Sequence, residues 1–208
     1  MKKIDLSSWN RKEHFDFFSQ YDDPFFGIVT EVDCTNAYRF ARENKYSFFA
    51  WYLHKAITAV NKIEEFKYRI LGEEVVLYDV VHAASTIGRK DGTFGFSFIH
   101  FSEDFDVFNT DLLEEIKNVE NTTGLRANED AARKDAIHFS TLPWNKFTGL
   151  THAKNFNNKD SVPKISFGRA FDSGSGKKLP VAVNAHHGLM DGIHLARFLE
   201  EFQKLLNA

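Results

Sequence analysis

The 208 residues carry 26 Lys and Arg against 29 Asp and Glu, a formal net charge of −3, so no basic field calls for nucleic acid or an anionic membrane surface. The length fits one domain over residues 1–208, or one protomer of an oligomer, with enough chain to bury a real core. A single cysteine, Cys34, excludes an intramolecular disulfide framework and a cysteine-rich zinc cluster, and suits a reducing compartment.

The opening stretch, MKKIDLSSWNRKEHF, has two lysines but no apolar run of signal length, and no window approaches a membrane span. A cytoplasmic protein without membrane or nucleic-acid partners is expected. SFFAWYLHKAITAV from Ser47 places apolar residues at helical spacing, as does DVFNTDLLEEIKNV from Asp106, and both predict helices packed on a sheet. Between them EEVVLYDVV and TFGFSFIHF read as strands. In the second, Phe94, Phe96 and Phe98 alternate onto one face, which reads first as a buried sheet face and second as part of a pocket wall. Asn118–Asp135 is polar and predicts an exposed excursion.

KISFGRAF and KLPVAVNAHH follow as two strands joined by DSGSGKK, a Gly and Ser turn. The turn is no phosphate-binding loop: Phe171 stands where the first glycine is required, and Lys178 where a Ser or Thr is. DGIHLARFLEEFQKLL closes the chain as an amphipathic helix, with Leu195, Leu199, Phe202 and Leu206 on one stripe. Alternating strand and helix signals without a repeat give an α/β or α+β fold.

At the last junction, NAHHGLMDGIH crowds three histidines and a carboxylate where the strand pattern yields to the helical one. Three readings stay open on the residues alone. Asp191 caps the helix and the histidines are ordinary polar residues. Alternatively, His187, Asp191 and His194 share one helical face as metal ligands, a reading opposed by Gly192 and by the strand pattern before His186, so no metal is assigned. In the third, one histidine held at a strand end is a general base.

His186-His187-x-x-x-Asp191-Gly192 resembles the signature shared by chloramphenicol acetyltransferases, the acyltransferase cores of 2-oxoacid dehydrogenase complexes and peptide-synthetase condensation domains. Five separated segments resemble the first family, in its order: SSWNRKEHFDFF, EEFKYRILGEEVVLYD, TFGFSF, FSTLPWNKF and LPVAVNAHHGLMDGIHLARFLEEFQ. The resemblance implies a mixed β-sheet with helices packed on one side, the fold of CoA-dependent acyltransferases. It also implies a homotrimer with each active site in a cleft between subunits, and acetyl-CoA as a co-substrate, with no bound cofactor.

Residue roles follow from the same resemblance. His187 matches the general base that takes the proton of an acceptor hydroxyl, and Ser140 the serine that stabilises the oxyanion. Asp191 pairs with Arg11 to hold the histidine loop. Trp144 matches an indole lining the coenzyme site and Ser166 a hydroxyl that orders water near the reacting centre. On the residues alone, apart from the resemblance, Arg169, Lys177 and Lys178 are expected to be exposed cations within reach of coenzyme phosphates. Phe17, Phe18 and Phe94 are assigned to the acceptor side. Phe18 and Ala170 each replace a tyrosine usual in the drug-modifying enzymes, and Gly-Leu-Met replaces Ala-Val-Cys inside the motif. The chemistry is expected to survive these departures, which bear on acceptor identity instead. Cys34 matches no nucleophile position, so the acyl group is expected to pass directly to an acceptor, chloramphenicol being the leading candidate.

Overall fold

The structure is a computed structural model describing residues 1–155 and 160–208. In chain order the elements are β1 (Lys2–Lys3), α1 (Lys12–Phe18), β2 (Phe25–Asp33), α2 (Thr35–Glu43), α3 (Phe48–Asn61), β3 (Tyr68–Leu71), β4 (Glu74–Leu77), β5 (His82–Gly88), β6 (Phe94–Ile99), α4 (Phe105–Glu120), β7 (Ala136–Leu142), β8 (Lys164–Gly168), β9 (Phe171–Ser173), β10 (Gly176–His186) and α5 (Gly192–Asn207). Local chemistry sets several of these boundaries. The Ser47 hydroxyl accepts from the Ala50 N–H to start α3, and the Asp104 carboxylate accepts from Asp106 and Val107 to start α4.

The large mixed sheet has the order β2-β10-β8-β7-β5-β6, with β9 paired to β10; β5, β7 and β8 run parallel and the remaining pairs are antiparallel. Alternate residues on one face, among them Val183, Ile165, Ile137, Ala83 and Ile99, pack with α2, α3, α4 and α5 in the main core. Each fully buried Val, Leu, Ile or Phe side chain there contributes roughly 1.5–3 kcal/mol. On α5 the buried stripe is Leu195, Phe198, Phe202 and Leu206. Phe198, three residues after Leu195, takes the place predicted for Leu199, which lies at the edge of the core.

A second, three-stranded sheet, β1-β4-β3, forms its own cluster with Phe15 of α1 and Leu189 of the histidine loop, against which Trp9 packs. Fully buried Arg69 of β3 binds this unit to the start of β7 by donating to the carbonyls of Phe66, Tyr68, Lys134 and Ala136. EEVVLYDVV is therefore not one strand. It ends at Leu77, and the Asn61 side chain then brackets Val81 through its N–H and its carbonyl, each at 2.9 Å, before β5 joins the large sheet. The Phe94, Phe96 and Phe98 face also differs from a uniformly buried one: it grades from exposed Phe94 through half-buried Phe96 to buried Phe98, whose ring packs against Arg133, His82 and His100. The polar excursion after α4 is exposed over most of its length, pinned by an Arg126 to Glu115 ion pair at 3.0 Å.

Candidate active site

β10 ends at His186, and residues 187–190 turn the chain into α5. The turn is held by His186 itself: its carbonyl accepts from Leu189 and Met190, and its Nδ1 accepts from Gly188 at 3.1 Å. A Cβ at Gly188 would meet the His186 ring at 3.0 Å and the Phe15 backbone at 3.3 Å, so a larger residue there would have to displace the His186 ring slightly. His186 is buried, which pushes its imidazole pKa down to about 4. It is a structural residue.

His187 is one-third exposed and its N–H donates to Pro24 O at 2.8 Å, extending the pairing of β10 with the β2 segment. Its ring lies between two phenyl groups, Phe18 at 4.0 Å between centroids and 8° from parallel, and Phe26 at 4.2 Å and 30°. Nδ1 is enclosed, 3.3 Å from Asp191 Oδ1 but not aligned for a hydrogen bond. Arg11 forks onto Asp191, at 2.5 Å and 3.1 Å to its two oxygens, and donates to His187 O at 3.1 Å. That hydrogen-bonded guanidinium holds the Asp191 carboxyl below the usual carboxylate range. Trp9, edge-on to Tyr68 at 5.4 Å, fixes the segment that carries Arg11.

The third histidine of the motif belongs to the helix start. His194 Nδ1 accepts the Asp191 N–H at 2.8 Å and Nε2 stands 3.2 Å from Glu65 Oε1. Its Nδ1 is thus spent on the Asp191 N–H and both Asp191 oxygens on Arg11, which argues against the His187, Asp191, His194 metal reading; among the described residues no group of His, Cys, Asp and Glu is placed to hold a metal ion.

Ser140 lies elsewhere. Register pairs Ser140 of β7 with Ser166 of β8, and Ser166 with Ala182 of β10, all on the sheet face away from the helices. Ala182 is five residues before His187, so in one chain Ser140 sits about 16 Å along the strands and about 10 Å across them from the histidine. The fold does not bring the two together within one copy. Ser166 is fully buried and its Oγ has no hydrogen-bond partner among the described residues.

The residues assigned to coenzyme share the Ser140 end of the sheet. Trp144 is 75% exposed just past β7, and Arg169 N–H donates to Asn145 O at 2.9 Å, stapling that loop to the end of β8. Lys177 is paired with Asp172 at 2.6 Å and lies over the Tyr38 ring, and Lys178 pairs with Asp33 at 3.2 Å, so neither is an isolated cation. Phe94 is exposed at this end too, opposite Gly88, whereas exposed Phe17 accompanies Phe18 beside His187. The predicted residues therefore form two groups at opposite ends of the sheet.

Sequence reading missed Phe26, Glu65 and a cavity of about 980 Å³ whose lining includes Asp23, Phe25, His138, Asp160, Lys164 and His186. Lys164 pairs with Asp160 at 2.5 Å, and burial pushes His138 down to about 4. Neither His187 nor Ser140 lines this cavity. Isolated charges in a polar stretch carried no signal for it; Phe26, next to an aromatic neighbour on a strand, was readable only as core. No helix among the described residues is long and apolar enough to cross a membrane.

A sequence model of chloramphenicol acetyltransferase matches residues 1–203. Chloramphenicol acetyltransferase 3 of Escherichia coli is 26% identical over 208 residues, covering 99% of this chain and 97% of that protein, and the Proteus mirabilis enzyme is 27% identical over 97% and 92%. A solved chloramphenicol acetyltransferase superposes with a TM-score of 0.92 at 33% identity, covering 99% of this chain and all (100%) of the other. A dihydrolipoamide acetyltransferase of Azotobacter vinelandii, 14% identical with a TM-score of 0.71 over 94% and 86% of the two chains, shares the fold. With its mixed sheet, its one-sided helical layer and a match along nearly its whole length, the chain belongs to the chloramphenicol acetyltransferase family and is an acyltransferase.

Proposed function

We propose that the protein transfers an acetyl group from acetyl-CoA to a hydroxyl acceptor, for which chloramphenicol, the drug in its relatives' names, is the leading candidate. The observation that carries this reading is the setting of His187: an imidazole clamped between two phenyl rings, with Nδ1 enclosed and the backbone tied to Arg11. Only Nε2 remains to exchange a proton with a substrate. It takes the hydroxyl proton as the acceptor oxygen attacks the thioester carbonyl. The tetrahedral adduct then collapses, the C–S bond breaks, and the proton passes from the imidazolium to the departing thiolate. The Arg11 and Asp191 pair holds the loop and moves no proton.

Ser140 donates to the oxyanion, an interaction of the kind worth about 3–4 kcal/mol of barrier. Its distance from His187 within one chain supports a site built from two copies, hence the homotrimer. Trp144, Arg169 and Lys177, clustered at the Ser140 end, receive the coenzyme, and Ser166, with its buried unpaired hydroxyl, orders water beside the reacting carbonyl. No acyl-cysteine intermediate enters, since Cys34 is buried and its thiol pKa is pushed up to about 12.

A second reading keeps the chemistry and changes the acceptor. It is favoured by Phe18, which offers no phenol beside His187, and by the ion-paired lining of the neighbouring cavity. Thiol release from acetyl-CoA, followed with chloramphenicol and with other hydroxyl compounds, tests both. Release that depends on chloramphenicol supports the first, and release that depends only on another alcohol supports the second. No release with any alcohol refutes the acyl-transfer reading.

A further inference from the structure

His194 is the histidine of the motif to which the proposed chemistry gives no task. It is 7% exposed, three residues into the turn that follows Asp191. A helix N-cap aspartate ordinarily spends its carboxylate on the N–H groups of the first turn. Asp191 gives both carboxylate oxygens to Arg11 and also shares a reciprocal capping box with His194. The half of that box that fixes the Asp191 backbone is the His194 ring, whose Nδ1 accepts the Asp191 N–H at 2.8 Å. An Nδ1 that accepts leaves the proton of the neutral ring on Nε2, which stands 3.2 Å from Glu65 Oε1, a charge contact and not an aligned hydrogen bond. Glu65 belongs to the short turn after α3 that leads into β3, and its neighbour Phe66 is fully buried in the core.

We propose that His194, bonded through Nδ1 to the Asp191 N–H and with Glu65 beside its Nε2, is a positioning residue for the active-site loop: it sets the place of Asp191, and through Arg11 the place of His187. The inference rests on His187 being the base. A ring with its two nitrogens in opposite roles works here only in one tautomer and only when neutral, because an Nδ1–H would face the Asp191 N–H donor. Burial favours the neutral ring, as do the Arg11 and Arg197 charges, against Glu65 and Asp191, which favour the cation. The linkage is geometric. A shifted Asp191 carboxylate takes the Arg11 fork with it, and that fork holds the His187 carbonyl.

The test uses the full chain with acetyl-CoA and chloramphenicol, and the variants His194→Ala, His194→Asn and Glu65→Gln, with His187→Ala as the control for the base. Asn places its Oδ1 where Nδ1 stood and keeps the acceptor; Ala does not. His194→Ala is expected to lower kcat about tenfold or more, with KM for both substrates within about twofold, since a small displacement of a reacting group costs rate rather than binding. His194→Asn is expected to recover most of that loss, and Glu65→Gln to fall between. Imidazole nitrogen NMR signals give a readout that needs no turnover: His194 should carry its proton on Nε2, and the His187 signals should move in His194→Ala and stay in His194→Asn. Equal kcat loss in the Ala and Asn variants, or unmoved His187 signals in His194→Ala, overturns the positioning role. Normal turnover by His187→Ala sinks the base assignment instead, and the nitrogen signals still judge His194.

Discussion

Arg11→Ala removes both arms of the fork on Asp191 and the bond to the His187 carbonyl. Breaking a fully buried pair costs about 3–5 kcal/mol. Here the arginine side chain is 11% exposed but the Asp191 carboxylate 34%, so water recovers part of the solvation and about 2 kcal/mol is the reasonable loss. For a chain of this length that corresponds to a fall in melting temperature of roughly 4–8 °C. Turnover falls further than stability alone implies, by about 10- to 100-fold, because the His187 loop loses its anchor while no proton donor is removed. The pH dependence has a definite sign. Asp191 titrates below its ordinary value in the folded protein, so the pair's contribution is present above the ordinary carboxylate pKa and is lost as pH falls through the depressed one. The gap in melting temperature between wild type and variant must therefore close in acid. Thiol-release kinetics and circular-dichroism melts from pH 7 to pH 3 measure all three effects. A variant with wild-type rate and wild-type melting refutes the reasoning, as does a melting gap that widens in acid.

Three further outcomes follow from the geometry. His187→Ala should lower kcat by about a thousandfold or more with little change in melting, the ring being one-third exposed; near-normal turnover ends its role as base. Mixing unfolded His187→Ala and Ser140→Ala chains in equal amounts and refolding them together should restore about one quarter of wild-type turnover, the share of sites that draw histidine and serine from intact donors in different copies. Recovery no greater than the sum of the separately refolded variants argues against a shared site. His138 and His186 are both held neutral down to about pH 4, whereas in the unfolded chain they titrate as ordinary imidazoles. Each should cost about 1.4 kcal/mol of stability per pH unit as pH falls from about 6.5 towards 4, and unfolding free energies that stay level over that range contradict their burial as neutral rings.

The elements legible in the sequence were those whose periodicity reports one packed face. α3, α4 and α5 were readable because each lays an apolar stripe on the sheet, and β6, β8 and β10 because they alternate or form a continuous apolar run. What stayed illegible was set by partners distant in the chain. FFGIVTEVD becomes β2 only through nine residues of pairing with β10, and its buried and half-exposed positions follow no clean alternation. β7 begins at a position fixed by carbonyl bonds to Arg69, some 67 residues earlier in the chain. In the site, the motif residues and the Arg11 partner came from resemblance, and the structure supplies their geometry. The His194 to Glu65 contact joins segments far apart in the chain, and no local pattern announces it.

The division of the predicted residues into two groups bears on how acceptor choice is separated from chemistry. His187 is held by contacts internal to its own chain: two phenyl rings, one guanidinium fork and a backbone bond to Pro24. Ser140 is held by the parallel pairing of β7 and β8, and by its neighbour Thr141, whose hydroxyl bonds to buried Tyr52 at 3.1 Å. Each half is therefore held by its own chain's contacts, and in the proposed site the docking of two copies joins them. Residues lining the space between the halves can vary while both reacting groups keep their supports. Phe18 illustrates this: its ring stacks on the imidazole, a task any flat aromatic performs. In the proposed mechanism, substitution at such a position is expected to change which alcohol is accepted and to leave the base in place.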